Sequence, residues 1–143
     1  WSHKYARRQW DLVDNKNLNF HHLGDFDAAM LEVIKSQKNI QKTPVQEIWH
    51  SDYDQVLAYT RKDLLFVFNF NPCKSFTDYG LLVPAGSYEV VLNTDAKEFG
   101  GNGLNDDSVK HFTMFDPVHK KYRKEWLKLY LPARTAMVLR KCK

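Results

Sequence analysis

The sequence contains little cysteine and no long apolar run. Its 143 residues include two cysteines, Cys73 and Cys142, and neither has a partner at a metal-type spacing. Two thiols cannot form a disulfide framework, so we expect reduced cysteines and a cytoplasmic location. No apolar run reaches the length of a membrane span, and no secretory signal opens the chain. These absences predict a protein that has no membrane partner.

The sequence also lacks the short motifs of metal, nucleotide and hydrolase sites. None of the six histidines belongs to a His-Glu-x-x-His or Cys-His pattern, and we expect the adjacent His21 and His22 to point to opposite sides of any regular element. The Gly-rich segment 100–103 is not followed by the Gly-Lys-Ser/Thr of a phosphate loop. Asp106 and Asp107 lack the alternating spacing of a calcium loop. We therefore predict no metal site and no cofactor.

Acidic charge is scarce only at one end of the chain. The net charge is +4, but residues 118–143 hold nine Lys and Arg against a single Glu, whereas the first 117 residues are net acidic. A basic end could attract nucleic acid or another polyanion. Lysines on edge strands, which discourage pairing between sheets, give the same composition. Because no nucleic-acid-binding motif accompanies the charge, we predict no nucleic-acid partner.

The apolar segment from Leu64 to Phe70 is the strongest structural signal. It is short, rich in phenylalanine and closed by Asn71-Pro72, which suits a strand covered on both faces better than a helix. Successive side chains of a strand point to opposite faces. The predicted faces are Leu65, Val67 and Asn69 on one side and Leu64, Phe66, Phe68 and Phe70 on the other.

The chain divides into a helical part and a strand-rich part. Gly24 or Asp25 can cap a helix whose apolar stripe fades by Gln37, and Pro44 follows a polar linker. After Pro44 the patterns indicate seven or eight short strands, which predicts a mainly β protein with an antiparallel sandwich or barrel. We place the domain boundary at about residue 43, giving domains 1–43 and 44–143. The first residue, Trp1, is not a methionine, and we interpret the chain as a piece of a longer protein.

Aromatic side chains make up 14% of the sequence and offer the best chemical clue from the residues themselves. A flat apolar ring matches the C–H face of a sugar, whereas the same residues could equally form ordinary core. The candidates for stacking are Trp49, Tyr53, Tyr79, Tyr122 and Trp126.

Several segments, taken in order, resemble one family over almost the entire chain. The matching segments are Tyr5-Ala-Arg-Arg-Gln-Trp10, Asp25-Phe26-Asp27, Leu65 to Pro72, Ser75 to Tyr79, Pro84-Ala85-Gly86, Asp95-Ala96, Phe99-Gly100-Gly101 and Pro132 to Ala136. In order and spacing they resemble the C-terminal region of the 1,4-α-glucan (glycogen) branching enzymes, in the α-amylase superfamily. The resemblance implies that residues 1–43 end a catalytic (β/α)8 barrel with its last helix, and that residues 44–143 form an all-β sandwich of the α-amylase C-terminal type.

The resemblance also implies a reaction and partners. Branching enzymes cleave an α-1,4 glucan and transfer the segment to a 6-hydroxyl, using two Asp and one Glu of the barrel. No residue here matches those carboxylates, so we expect no catalytic residue in this chain and no branching activity from it alone. The implied partners are the upstream barrel and α-1,4 glucan or glycogen.

The candidate contact residues come from both parts of the chain. Residues near the start could either pack on the barrel or touch substrate, and two tryptophans of the β domain could touch glucan. These candidates are Tyr5, Arg7, Arg8, Trp10, Trp49 and Trp126. After Gly100-Gly101 the sequence departs from the family pattern, because Asn102-Gly103 replaces the usual histidine and basic residue. A stand-alone α-glucan-binding sandwich is the alternative, and a polyanion-binding module is a third.

Overall fold

The computed structural model describes residues 3, 9–115 and 125–142, and it has a short helical part followed by eight strands. Helix α1 spans Asp11–Asp14, helix α2 spans Phe20–Ser36, and a 3-10 turn spans Ile40–Lys42. The first strand begins at Gln46. Helical structure therefore ends close to where the sequence predicts a boundary. Whether residues 1–43 form a separate domain stays a prediction.

Eight antiparallel strands make up the rest of the described chain, with a second 3-10 turn at Lys97–Phe99. The hydrogen-bonded order is β1-β2-β3-β8-β5-β6-β7-β4. The mainly β, antiparallel prediction is confirmed. The strands are β1 Gln46–Ser51, β2 Val56–Arg61, β3 Leu64–Asn69, β4 Phe76–Leu82, β5 Ser87–Asn93, β6 Lys110–Phe115, β7 Glu125–Leu131 and β8 Thr135–Lys141.

Strand β6 divides the strands into two layers. Its first half pairs with β5 and its second half, from Thr113 to Phe115, pairs with β7. A strand that changes partners along its length makes the corner of a sandwich. The larger sheet is β1-β2-β3-β8-β5-β6 and the smaller sheet is β6-β7-β4. Strands β1 and β4, which stand at the two ends of this order, also meet: the indole Nε1 of Trp49 in β1 donates to the hydroxyl of Tyr79 in β4 over 2.9 Å.

The main core lies between the two sheets, and a second core lies under helix α2. In β3, Leu65 and Val67 belong to the main core, whereas Leu64 belongs to the second core with Phe66 packed against it. The prediction that β3 is covered on both faces is thus right for this half of the strand. It is wrong for Phe70, which is 60% exposed just after the strand. Helix α2 covers only the first half of this face.

Helix α2 begins earlier than the sequence predicts, at Phe20 rather than at Gly24 or Asp25. Gly24 and Asp25 lie inside the helix, whose apolar residues already begin at Phe20. One face of α2 packs on the larger sheet and gives the helix its tertiary support. None of the described helices combines the length and the hydropathy that crossing a bilayer would need. The residues of α2 that face the sheet are Phe26, Ala29, Val33 and Ile34.

Candidate contact surfaces

A surface at one end of the sandwich is built around Trp49, and we call it the Trp49 surface, formed by Trp49, Tyr53, Asp54, Lys74 and Tyr79. Trp49 is 48% exposed and Tyr53 is 89% exposed, so the core interpretation is wrong for both rings. The Tyr79 hydroxyl donates to Asp54 Oδ2 over 3.2 Å, and Lys74 Nζ donates to Asp54 Oδ1 over 3.4 Å. The carboxylate of Asp54 therefore holds an aromatic cluster in place from the β1–β2 turn.

The surroundings of Tyr79 favour its protonated phenol. Burial raises the pKa of the Tyr79 phenol, and the carboxylate of Asp54 raises it further. The phenol stays protonated and can donate to Asp54 while it accepts from Trp49. Because the indole N–H is already used inside the cluster, Trp49 has only its apolar ring to offer a ligand. A ring of this kind, flanked by polar side chains, is suited to a sugar.

A second surface lies on the outer face of the smaller sheet, and we call it the Trp126 row. Met114 and Leu82 are the direct cross-strand neighbours of Trp126 on either side. Met114 is 52% exposed and Leu82 is 40% exposed. A Cβ added to Gly80 would lie 3.3 Å from Cε3 of Trp126, so the indole rests against the glycine. The absence of a side chain at position 80 lets the tryptophan lie flat on the sheet.

The outward side of the helical part forms a third surface, which we call the α2 outer face and define as Phe20, Leu23 and Leu31. Their exposed fractions are 54%, 75% and 46%. Phe20 and Leu31 point away from the residues that pack on the sheet, and Leu23, three residues before Phe26, borders that packed face but is itself exposed. Trp10 is also exposed, at 67%. The other early candidates, Tyr5, Arg7 and Arg8, lie outside the described residues, as does Tyr122.

The loop after β5 is organised by one buried carboxylate. Asp95 is 4% exposed and is the only buried carboxylate of the described residues. Its oxygens accept backbone N–H bonds from Asn102 at 2.9 Å and Leu104 at 2.7 Å. A Cβ on Gly101 would lie 2.3 Å from the backbone of Asp95, so only glycine fits there. Asp95 and Gly101 therefore hold the loop, and the burial of this carboxylate is explained by its bonds to the loop backbone.

The buried amide of Asn69 has a similar structural role after β3. Asn69 is 2% exposed, and its Nδ2 donates to the carbonyls of Leu131 at 3.0 Å and Pro132 at 2.9 Å. Its Oδ1 accepts from the backbone N–H of Asn71 at 3.0 Å. The Phe-Asn-Phe-Asn-Pro segment is thus explained by loop closure between the two sheets.

The histidine pair contradicts one expectation from the sequence. His21 and His22 do not point to opposite sides, because their ring centroids are 4.0 Å apart. Adjacent residues of a helix differ by about 100° in direction, not 180°, and both rings can lean the same way. One ligand-type atom from each of His21, His22 and Asp25 lies within 4.8 Å of the others. The spacing of Asp25, three and four residues after the histidines, was the signal that could have identified this cluster.

Taken together, these features define an antiparallel β-sandwich with exposed aromatic surfaces and an apolar helix face. The family model described as the alpha amylase C-terminal all-beta domain matches residues 49–141. The chain belongs to this family.

Similar proteins extend the match to the helical part. The chain is 41% identical over 139 residues to a 1,4-alpha-glucan-branching enzyme of Candida glabrata, covering 96% of this chain and 19% of that protein. It is 37% identical to the enzyme of the same name from Saccharomyces cerevisiae, again over 96% of this chain and 20% of that protein. The corresponding protein of Dictyostelium discoideum is 38% identical over 139 residues. The chain thus spans about a fifth of the length of these relatives, and the resemblance seen in its motifs is confirmed.

Proposed function

We propose that this chain is the non-catalytic C-terminal part of a 1,4-α-glucan branching enzyme of the cytoplasm. The observation that carries the proposal is the similarity to relatives of that name along 96% of this chain, which is only about a fifth of their length. In such an enzyme a glucan segment is moved from an α-1,4 linkage to a 6-hydroxyl. Neither a membrane nor a nucleic acid is a partner under this proposal.

The chemistry of the transfer favours a catalytic centre outside this chain. A retaining transfer needs a nucleophilic carboxylate and an acid/base about 5–5.5 Å apart on either side of the glycosidic bond. In (β/α)8 barrels such groups project from the C-terminal ends of the barrel strands. The described residues hold one buried carboxylate, Asp95, and two backbone N–H groups occupy its oxygens. The role left to the sandwich is support of the barrel.

The α2 outer face is where we place the contact with the barrel. Phe20, Leu23 and Leu31 are large apolar residues on a helix whose other face is already packed. An exposed apolar stripe beside a complete core is typical of an interaction surface. Helix α2 lies in the part of the chain that matches branching enzymes but precedes the sandwich family model, which begins at residue 49. In this proposal residues 1–43 belong to the barrel and α2 is shared between the barrel and the sandwich.

The barrel contact can be tested by charge substitution in the longer enzyme. Leu23→Asp and Leu31→Asp place carboxylates on the α2 outer face, and we expect each to lower the midpoint of thermal unfolding of the whole enzyme and its branching rate in an iodine-colour assay. Burying one leucine is worth about 1.5–3 kcal/mol, so the effect is large. Ala28→Asp, at an exposed position elsewhere on α2, is the matched control. Equal behaviour of all three variants would remove the docking role from this face.

Activity of the chain alone separates support from catalysis. We expect the purified 143-residue chain to leave the iodine colour of amylose unchanged. Clear branching by this chain would contradict the proposal, because the catalytic carboxylates would then have to lie within the 143 residues.

A second candidate function, direct binding of α-glucan, is favoured by the exposed rings of the Trp49 surface and by the partly exposed ring of Trp126. Trp49 is 48% exposed while its N–H is held by Tyr79, so its ring is fixed in orientation before any ligand arrives. A preorganised ring loses little entropy on binding. A stand-alone glucan-binding module would use these same surfaces without a barrel.

Titration with maltoheptaose tests this second function. We expect Trp49→Ala to weaken binding by about tenfold, equal to about 1.4 kcal/mol, and Trp126→Ala to weaken binding at the second surface. Phe115→Ala, which removes a ring that is 45% exposed at the end of β6, is the control. Affinity unchanged in both tryptophan variants would exclude these rings from glucan contact.

A further inference from the structure

Three side chains with metal-ligating atoms meet in the first turns of helix α2. His21, His22 and Asp25 each offer one such atom within 4.8 Å of the others. Asp25 follows His21 by four residues and His22 by three, and these are the spacings at which side chains on a helix are neighbours. The regular backbone of α2 therefore keeps the three groups on one side of the helix.

Backbone hydrogen bonds determine which imidazole nitrogen is free. His21 Nδ1 lies 2.9 Å from the carbonyl oxygen of Leu18, and His22 Nδ1 lies 3.1 Å from that of Glu98. A carbonyl can only accept, so in each ring Nδ1 carries the hydrogen and donates it. In the neutral rings Nε2 then has an unshared lone pair. Histidines that bind metals usually have this arrangement, with the second nitrogen donating to a carbonyl or carboxylate.

Gly100 lies directly against the second ring, where no side chain fits. A Cβ on Gly100 would lie 2.8 Å from Cδ2 and 3.2 Å from Nε2 of His22. Any side chain at position 100 would therefore occupy the space next to the free nitrogen, and the φ of +79° at this residue also favours glycine. The exposed carboxylate of Asp25 supplies the negative charge that two neutral imidazoles lack.

We propose that His21 Nε2, His22 Nε2 and a carboxylate oxygen of Asp25 bind one divalent transition-metal ion of the zinc class. Imidazole and carboxylate ligands suit Zn²⁺ and its neighbours better than Ca²⁺ or Mg²⁺. Zinc holds such ligands at about 2.0–2.2 Å, so side-chain rotation must bring the three atoms closer together. Asp25 is exposed and free to rotate. Because the positive end of the helix dipole opposes a cation here, binding depends on all three ligands.

A bound ion would act on the fold rather than on a reaction. His22 joins the start of α2 to Glu98 in the 3-10 turn Lys97–Phe99. Fixing His22 to a metal strengthens this link between the helix and the loop after β5. The inference does not depend on the proposed enzyme function, since the ligands lie wholly within this chain.

Calorimetric titration of the chelator-treated chain with Zn²⁺ tests the proposal. His21→Asn and His22→Asn are suitable variants, because the asparagine N–H can replace the Nδ1 donor while the Nε2 ligand is lost. Asp25→Asn keeps the shape and removes the charge. We expect one Zn²⁺ per chain, with binding weakened in each variant by about tenfold or more, the scale reached by altering even an outer-shell partner. Zn²⁺ should also raise the unfolding midpoint of the unaltered chain, since folding brings the three ligands together and strengthens binding.

His50→Asn is the control, because this exposed histidine pairs with Glu47 away from the cluster. It should leave zinc affinity unchanged, and a tenfold excess of Mg²⁺ should not compete. The proposal is overturned if no saturable binding occurs, if binding survives in both histidine variants, or if Asp25→Asn, whose exposed position leaves folding intact, binds as tightly as the unaltered chain.

Discussion

Replacement of Asn69 by leucine tests how the two sheets are joined. The side chain is 2% exposed, and its Nδ2 bonds the carbonyls of Leu131 and Pro132 while Oδ1 holds the N–H of Asn71. Leucine has the same branching but no polar atom. Asn69→Leu therefore leaves the carbonyl of Leu131 and the N–H of Asn71 without their Asn69 partner, whereas the carbonyl of Pro132 keeps the Thr135 hydroxyl. Each such loss costs about 1–3 kcal/mol.

We expect a total loss of about 2–6 kcal/mol, which is a large part of the 5–15 kcal/mol typical of a domain. At about 2–4 °C per kcal/mol for a chain of this size, the unfolding midpoint should fall by about 5–20 °C. Urea unfolding followed by tryptophan fluorescence measures the change. Asn102→Leu is the matched control, because the Asn102 side chain is exposed and only its backbone N–H is bonded. If Asn69→Leu lowers the free energy of unfolding by less than about 1 kcal/mol, Asn69 does not join the two sheets in this way.

Two further predictions concern glycine packing and pH. Gly80→Val should displace the Trp126 ring, which lies 3.3 Å from the added Cβ, so we expect red-shifted tryptophan emission and a free energy of unfolding lower by about 1–3 kcal/mol. Gly24→Ala adds a Cβ with nothing within 4 Å and should raise the free energy of unfolding by about 0.5–1 kcal/mol. Equal effects of the two substitutions would contradict the packing of Trp126. The hydrogen bond that His50 donates to the Glu47 carboxylate raises the pKa of His50 above its ordinary value of about 6.5, so this pair should stabilise the fold fully below pH 6.5 and lose its effect as pH rises through the raised pKa. Glu47→Gln should lower the pKa of His50, which a proton NMR titration measures. An unchanged pKa would assign the shift to another cause.

The strands were predictable because their signals are local. Alternation in Leu127, Leu129 and Leu131 and the apolar run of β3 give both the position of each strand and its buried face. The turn between β2 and β3 is short, so the hairpin follows from proximity along the chain. The order of the remaining strands depends on contacts between distant segments, such as β3 with β8, and local patterns do not specify these.

The contact surfaces were predictable only in part. Trp49 could be chosen as a candidate from its residue type, but its exposure depends on β1 being an edge strand that meets β4. Phe70 was expected to be covered, and it is exposed because α2 ends its contact before that point. The convergence of His21 and His22 was missed because the direction of each ring depends on its bond to a carbonyl, and one of these carbonyls, that of Glu98, is 76 residues away.

We propose that the α2 outer face is covered, in the full-length enzyme, by the part of the chain that precedes it. Hydroxyl-radical footprinting, which oxidises exposed side chains, measures this in the isolated chain and in the full-length enzyme. We predict that Phe20, Leu23 and Leu31 are labelled strongly in the isolated chain and are protected in the full-length enzyme, while Tyr53, 89% exposed at the other surface, is labelled equally in both. Equal labelling of the α2 outer face in the two proteins would contradict the claim.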